Sequence, residues 1–226
     1  MLMQSLPRTI RRPAIIFIRA RVHAQPPLRL SVIVSDAVSN LRSSLELLAW
    51  QLVLVNGKKP KGIFFPINDD RQEFETKALR KVKAMRTKAI AIIKTLKPYK
   101  GGNDGLWRLH ELSNITKHRY LVTVGAAFPH ATFDMIPPEW DVPPDVRKAM
   151  RIGIRPADWG FPLIDGTALY HVKAADRRKV DLNPQFSFDI ALGESGVIES
   201  EAVLPAFHQM TGLVKQVVEL FVPLFP

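Results

Sequence analysis

Residues 36–52 read DAVSNLRSSLELLAWQL, and this stretch decides the fold of the first half of the chain. Counted from Val34, its apolar residues recur at alternating steps of four and three, the spacing of one face of an α-helix. The stripe consists of Val34, Val38, Leu41, Leu45, Leu48 and Leu52. The pattern predicts a helix that Ser31 or Ser35 caps and that Asn56-Gly57 ends.

Three polar residues of this helix flank the apolar stripe. Arg42 and Glu46 lie on one flank, four residues apart, and Asn40 lies on the other. One interpretation is an ion pair between Arg42 and Glu46, worth roughly 0.3 kcal/mol on a helix surface. The other is that Arg42 faces a neighbouring helix and a ligand. The residues leave both interpretations open.

The segment that follows this helix combines apolar and basic residues. Phe64 and Phe65 are expected to pin the apolar segment 62–67 into the core. A capping aspartate then starts a basic helical stretch that reaches about residue 96, after a break. Its outer surface carries Lys81, Lys83, Arg86 and Lys88. We interpret these four residues as a solvated face.

A second polar helix is predicted from Leu106 to about Arg119. Its buried side consists of Leu106, Leu109, Leu112 and Ile115. Its end reads NITKHR over residues 114–119, which places Asn114, Lys117, His118 and Arg119 within six residues. Such a density of hydrogen-bond donors would suit a phosphate or a carboxylate. The alternative is that these basic residues complement the helix dipole.

From residue 120 onward the apolar pattern becomes that of strands. We predict strands after about residue 120, after a turn at Asp165-Gly166, and over 186–192, where apolar and polar residues alternate. An earlier strand is predicted from Ala14 to Ala24, and an amphipathic closing helix from Val203 to Phe221.

This order of elements predicts an α+β fold in a single domain of residues 1–226. The helical part spans about 31–119, the β-rich part about 120–195, and the closing helix about 203–222. We expect three to four helices in the core, together with an antiparallel sheet and the C-terminal helix.

The charge of the chain is +11 and is unevenly placed. Residues 58–120 carry sixteen basic residues against six acidic ones, whereas residues 121–226 carry nine against thirteen. A basic surface concentrates polyanions such as nucleic acid in a salt-dependent way. The alternatives are a solvated face, or a basic half that docks on an acidic half.

Several kinds of site are disfavoured by the residues themselves. The chain has no cysteine, which excludes disulfides and thiolate metal sites, and His110-Glu111 is followed by Asn114 where a zincin needs histidine. We therefore predict no metal site and no cofactor. The apolar run 14–18 is too short to cross a membrane, so we expect a cytoplasmic protein without a membrane partner.

Five segments, in this order, resemble a family of uncharacterised bacterial proteins that is common in actinobacteria. They are PPLRLSVIV at 26–34, the helix at 36–52, FPI at 65–67, LKPY at 96–99 and NITKHR at 114–119. The family has an HNLRSALDHL helix and an NIDKHR segment, and the resemblance covers roughly residues 14–122. It implies that residues 1–13 are a shortened or replaced lead-in.

The family's helix resembles, more loosely, the Arg-x4-His signature of HEPN-type RNases, which are all-helical and often pair as dimers. Arg42 matches the arginine, but Leu47 stands where the histidine would be, Glu46 replaces an aspartate and Ser39 replaces an earlier histidine. A leucine cannot act as an acid or a base in phosphodiester cleavage. The resemblance implies a HEPN-like helical core and a homodimer, but the catalytic residues stay unassigned.

The leading hypothesis is a protein that binds an anionic ligand, RNA or a nucleotide, without cleaving it. The expected ligand-binding residues are Asn40, Arg42, Asn114, Lys117, His118 and Arg119. One alternative is a metal-independent, RNase-like hydrolase in which His118 or His110 replaces the lost histidine. The other is a structural or interaction module without a ligand.

Overall fold

The computed structural model describes residues 14–19, 21–134, 143, 151–154, 162–174 and 183–226. The chain forms two compact units. The β unit comprises Met1–Gln25 and Gly125–Asp189, and the helical unit comprises Pro26–Val124 and Ile190–Pro226. A single domain over residues 1–226 stays a prediction, and the lead-in at residues 1–13 lies outside the described residues.

The helical unit contains the helices that position the site. A long helix, α1, is followed by a short helix α2, a π-helical turn and a short helix α3, and then by helices α4, α5 and α6. Their bounds are α1 Leu28–Leu54, α2 Arg71–Glu73, the π-turn Phe74–Ala78, α3 Leu79–Lys81, α4 Thr87–Leu96, α5 Asp104–Thr116 and α6 Val203–Phe221. A 3₁₀ turn at Val222–Leu224 ends the last helix.

The predicted apolar stripe buries α1 against α5 and α6. Val38 and Leu45 are fully buried, as the four-three spacing requires. The predicted serine cap was wrong, because α1 begins at Leu28 after Pro27, whose extended backbone leads directly into the helix. Ser35 lies inside the helix and is buried; its Oγ accepts a hydrogen bond from the backbone N–H of Leu121 at 2.9 Å.

The basic stretch after α1 is helical but interrupted, as expected. The Asp70 carboxylate caps α2 by accepting a hydrogen bond from the Glu73 N–H at 2.7 Å. The π-turn then buries Phe74, whose ring lies 5.5 Å from that of Tyr99 between centroids. The stretch breaks after α3 and resumes at α4.

The closing helix α6 has the predicted bounds and completes the core of the helical unit. Its buried residues are Ala206, Met210, Val214, Val217 and Phe221. The edge of Phe221 meets the ring of Phe65 at 6.5 Å between centroids. This contact places the segment after α1 against the closing helix.

The strands form a two-stranded and a four-stranded sheet. Their bounds are β1 Ala14–Arg19, β2 Thr123–Asp134, β3 Arg151–Ile154, β4 Ala168–Ala174, β5 Asn183–Glu194 and β6 Ile198–Ala202. β1 pairs antiparallel with β4, in the register Ala14↔Ala174, and the larger sheet has the order β3-β2-β5-β6. β1 is shorter than the predicted strand, since residues 21–25 form no regular element.

The β unit also contains the predicted turn before β4. The Thr167 N–H donates to the Ile164 carbonyl at 3.1 Å, and Gly166 has a φ of +82°, a backbone conformation that favours glycine. The Asp165 carboxylate accepts a hydrogen bond from the Val22 N–H at 2.9 Å, which fastens the chain after β1 to this turn.

The predicted α+β fold is confirmed by these helices and sheets. In the ranges described above, no helix has both the length and the apolar character needed to cross a membrane.

Candidate functional site

The helical unit contains a cavity of about 450 Å³. Its wall is built from α1, the segment 64–68, the stretch from the π-turn to α3, and α5. Six of its residues carry ionisable side chains: Arg42, Glu46, Lys77, Lys81, His110 and Lys117. Five of these six are basic residue types, so the cavity is the candidate site.

Arg42 forms the buried part of the wall and is 7% exposed. Its Nη2 donates to the Phe65 carbonyl at 3.0 Å, and its Nε donates to Nδ1 of His110 at 3.2 Å. Its Nη1 lies 2.5 Å from Oε1 of Glu46 as an ion pair, outside hydrogen-bond geometry. One guanidinium therefore contacts α1, the segment after it, and α5.

Glu46 is the only acidic residue among those that form the wall. Its Oε2 accepts a hydrogen bond from the Phe65 N–H at 2.8 Å. Glu46 therefore binds the backbone N–H of Phe65, and Arg42 binds its carbonyl. Burial raises the pKa of Glu46, and the attraction of Arg42 only partly opposes this shift. The ion pair predicted for α1 is present, and Arg42 also faces the neighbouring helix α5.

His110 is neutral at pH 7. Burial, followed by the nearby charges of Arg42 and Lys117, lowers the pKa of His110 to about 4. Its Nδ1 accepts the hydrogen bond from Arg42, so the ring proton lies on Nε2. Nδ1 is therefore not available as a general base while this hydrogen bond is made.

Three lysines complete the basic part of the wall. Lys117 donates from Nζ to Oδ1 of Asn114 at 2.8 Å, and Lys77 pairs with Glu73. Nζ of Lys81 lies 5.7 Å from the centroid of the Phe64 ring, a cation–π distance. Over the parts of the chain that are described, neither Lys81 nor Lys117 has a carboxylate partner. The wall therefore has an excess of positive charge.

The structure brings two of the six expected ligand-binding residues, Arg42 and Lys117, into this wall. Asn114 does not line the wall but contacts it: its Oδ1 accepts a hydrogen bond from Lys117, and its Nδ2 donates to Glu111 at 3.1 Å. Asn40 is exposed on α1 and does not belong to the wall.

His118 and Arg119 follow the end of α5 and also lie outside the wall. His118 is exposed. Arg119 binds both carboxylate oxygens of Glu194, at 2.9 and 2.7 Å, and Glu194 is 2% exposed. Its guanidinium thus takes part in an ion pair of the helical unit.

Sequence reasoning missed the part of the wall contributed by residues 64–81. Lys81 is exposed, as expected for a solvated face, but it also lines the cavity, four residues after Lys77. The expectation for Phe64 was wrong: Phe65 is 1% exposed, but Phe64 is 53% exposed. Two adjacent phenylalanines cannot both face one core in an extended segment, because successive side chains point in opposite directions.

The arrangement suits a ligand with negative charge, since the exposed ammonium groups of Lys77, Lys81 and Lys117 cluster at one cavity, and clustered cations attract anions. Within the described ranges, no group of three or more His, Asp or Glu residues is placed to hold a metal ion. No protein-family model, curated protein or solved structure matches this chain.

Proposed function

We propose that the protein binds an anionic ligand, RNA or a nucleotide, in the cavity of the helical unit and does not cleave it. The observation that supports this proposal is the charge of the wall: Arg42 pairs with Glu46 and Lys77 with Glu73, which leaves Lys81 and Lys117 without a carboxylate partner among the described residues.

The cavity has the size and chemistry for such a ligand. Its volume of about 450 Å³ lies within the range of small-molecule sites. Lysine ammonium groups bind phosphate as point charges, and those of Lys77, Lys81 and Lys117 are exposed at the cavity, so salt should screen them. The charge excess and the volume together favour a phosphate-bearing ligand.

Binding without cleavage is supported by the state of the two histidines proposed for acid–base chemistry. His110 is neutral and its Nδ1 accepts a hydrogen bond from Arg42, whereas His118 lies outside the wall. Leu47, which stands in place of the HEPN-type histidine, is 65% exposed and also lies outside the wall. These positions favour binding over the RNase-like alternative.

We also propose that the chain is related to the actinobacterial-type family and, remotely, to HEPN proteins. Three of the five segments that carry the resemblance contribute to the cavity wall, through Arg42 and Glu46, Phe65, and Lys117. A homodimer and a cytoplasmic location stay predictions from the sequence.

The test is equilibrium binding of a short single-stranded RNA, by filter binding, and of AMP and ATP, by calorimetry, across a salt series. We expect binding that weakens as salt rises, because cations of the site release counterions from the ligand. Lys117→Ala should weaken it about tenfold, the value of one charged hydrogen bond.

Lys59→Ala is the matched control, since Lys59 is exposed and does not belong to the wall. It should keep wild-type affinity. Absence of binding to all of these ligands, or equal effects of the two lysine variants, would refute the proposal. Cleavage of the RNA would favour the hydrolase alternative.

A further inference from the structure

The cavity wall has an apolar side as well as a basic one, and we infer that its ligand is a phosphate monoester that carries a flat aromatic group. This inference rests on the proposed function, because it names the class of anion that the same cavity binds.

The exposed ring of Phe64 at the cavity supports this inference. Its side chain is 53% exposed at the cavity, whereas the adjacent Phe65 is buried. An exposed phenylalanine ring leaves apolar surface in water, and burial of that surface against a flat ring stabilises the complex. Pro66, Ile67 and Ala78 extend this apolar surface along the wall.

Lys81 connects the apolar and basic sides of the wall. Its ammonium lies over the Phe64 ring, at 5.7 Å from the centroid, and it has no carboxylate partner among the residues that the structure places. A ligand stacked on Phe64 therefore lies beside a cation. Lys117, the residue that follows α5, supplies a second cation for the same phosphate.

The volume of the cavity limits the size of the ligand. About 450 Å³ suits one ring system with its phosphate, near the lower part of the usual 300–1,000 Å³ range. A polynucleotide instead needs a groove that follows its backbone over several nucleotides. The wall thus favours a monoester over a polymer.

The test is calorimetry on the full chain with three probes: AMP, phenyl phosphate and ribose 5-phosphate. The first two combine an aromatic ring with a phosphate, and the third carries its phosphate on a sugar without an aromatic ring. We expect the probes with an aromatic ring to bind about 5- to 150-fold more tightly than ribose 5-phosphate, which corresponds to stacking on one aromatic side chain. A preference between AMP and phenyl phosphate distinguishes a nucleoside source from a simple aryl phosphate.

Phe64→Leu keeps an apolar side chain and removes the ring. It should abolish the preference for probes with an aromatic ring and leave the affinity for ribose 5-phosphate unchanged. Tyr120→Leu is the matched control, because Tyr120 is also 53% exposed but lies outside the wall. An unchanged melting temperature of each variant verifies that it is folded.

Equal affinities for all three probes, or a preference that survives Phe64→Leu, would overturn this inference and leave the proposed function in place. If neither RNA nor any phosphate-bearing probe binds, the proposed function fails as well. The two failures are therefore distinguishable.

Discussion

Arg42 carries a full charge in the interior of the helical unit. Burial lowers its pKa and Glu46 raises it, but a guanidinium stays protonated at pH 7 in either case. A buried charge is tolerated only when its partners replace water. Glu46, His110 and the Phe65 carbonyl are these partners, so the same contacts that stabilise the fold also define the buried end of the cavity.

Replacement of Glu46 by glutamine should separate stability from ligand binding. Glu46→Gln keeps an acceptor for the Phe65 N–H but leaves Arg42 without its counter-charge. We expect a loss of about 1–2 kcal/mol of unfolding free energy, and a melting temperature lower by roughly 3–6 °C. Anion affinity should instead rise roughly fivefold, because the variant removes a like charge from the wall. Thermal unfolding and calorimetry measure the two effects.

Glu219→Gln provides the control for this variant. Glu219 is 57% exposed and its contact with Lys215 is 3.8 Å long, so its loss should change neither quantity measurably. A Glu46→Gln protein with wild-type stability, or with weaker anion binding, would contradict the role given to the carboxylate.

His110 should make the protein sensitive to acid. Its pKa is lowered from 6.5 to about 4, so between these values the unfolded chain binds a proton at His110 that the folded chain does not. Stability therefore falls as pH decreases from about 6.5 to 4 and is unaffected by this group above that window. Allowing for partial solvent screening, the loss is on the order of 2 kcal/mol.

Chemical denaturation at several pH values between 4 and 7 measures this effect. His110→Gln keeps an acceptor for Arg42 and should show a shallower pH dependence than the wild type. The comparison isolates His110, because the raised pKa of Glu46 acts in the opposite direction in both proteins. His208→Gln, at an exposed position of α6, is the matched substitution and should keep the wild-type pH dependence. Identical profiles for the wild type and His110→Gln would disprove the shift.

Among the helices and strands, the sequence predicted the helices whose apolar residues are regularly spaced. The stripes of α1 and α6 follow from spacing alone, because a helix must bury its apolar face. The N-terminus of α1 was mispredicted because Pro27 favours an earlier start, and Ser35 accepts a hydrogen bond from the distant Leu121 instead of capping the helix. A local cap and a long-range contact compete for the same hydroxyl, and the sequence does not rank them.

The cavity could be predicted only in part, for a related reason. The proximity of Arg42 and Glu46 follows from their spacing on one helix, and both lie in the wall. Contacts of Arg42 with His110, 68 residues away, and with Phe65, 23 residues away, depend on how helices pack. The π-turn adds a further shift, since it changes the direction of the side chains around Lys77 and Ala78. No periodic pattern contains this information.

At the scale of the whole molecule, the excess positive charge is distributed over both units. The helical unit carries 19 Lys and Arg against 12 Asp and Glu, so it would attract anions before any specific contact is made. Most of these cations lie outside the cavity, and the salt dependence of binding to RNA should therefore be steeper than that of binding to a monoester. Charge placement alone singled out residues 58–120, which contribute most of the cavity wall, but it did not predict the cavity.

Arg119 forms an ion pair that stabilises the helical unit. Its bidentate bond to Glu194 joins the residues after α5 to the end of β5, and the same carboxylate accepts from the Val122 N–H at 2.7 Å. Glu194 is almost completely buried, so Arg119→Ala would leave a carboxylate without a counter-charge. We expect a loss of about 2 kcal/mol, below the value for a fully buried pair because the Arg119 side chain is 53% exposed.

Affinity for AMP should be unchanged in Arg119→Ala, because Arg119 does not belong to the cavity wall. Arg80→Ala is the control: Arg80 is exposed, and its loss should affect neither stability nor affinity. Denaturant unfolding and calorimetry on the three proteins give both values. If Arg119→Ala keeps wild-type stability and instead weakens AMP binding, Arg119 belongs to the ligand site, as its place in the NITKHR segment first indicated. Loss of stability with full affinity assigns that residue to the fold and leaves Lys117 as the ligand-binding cation of the segment.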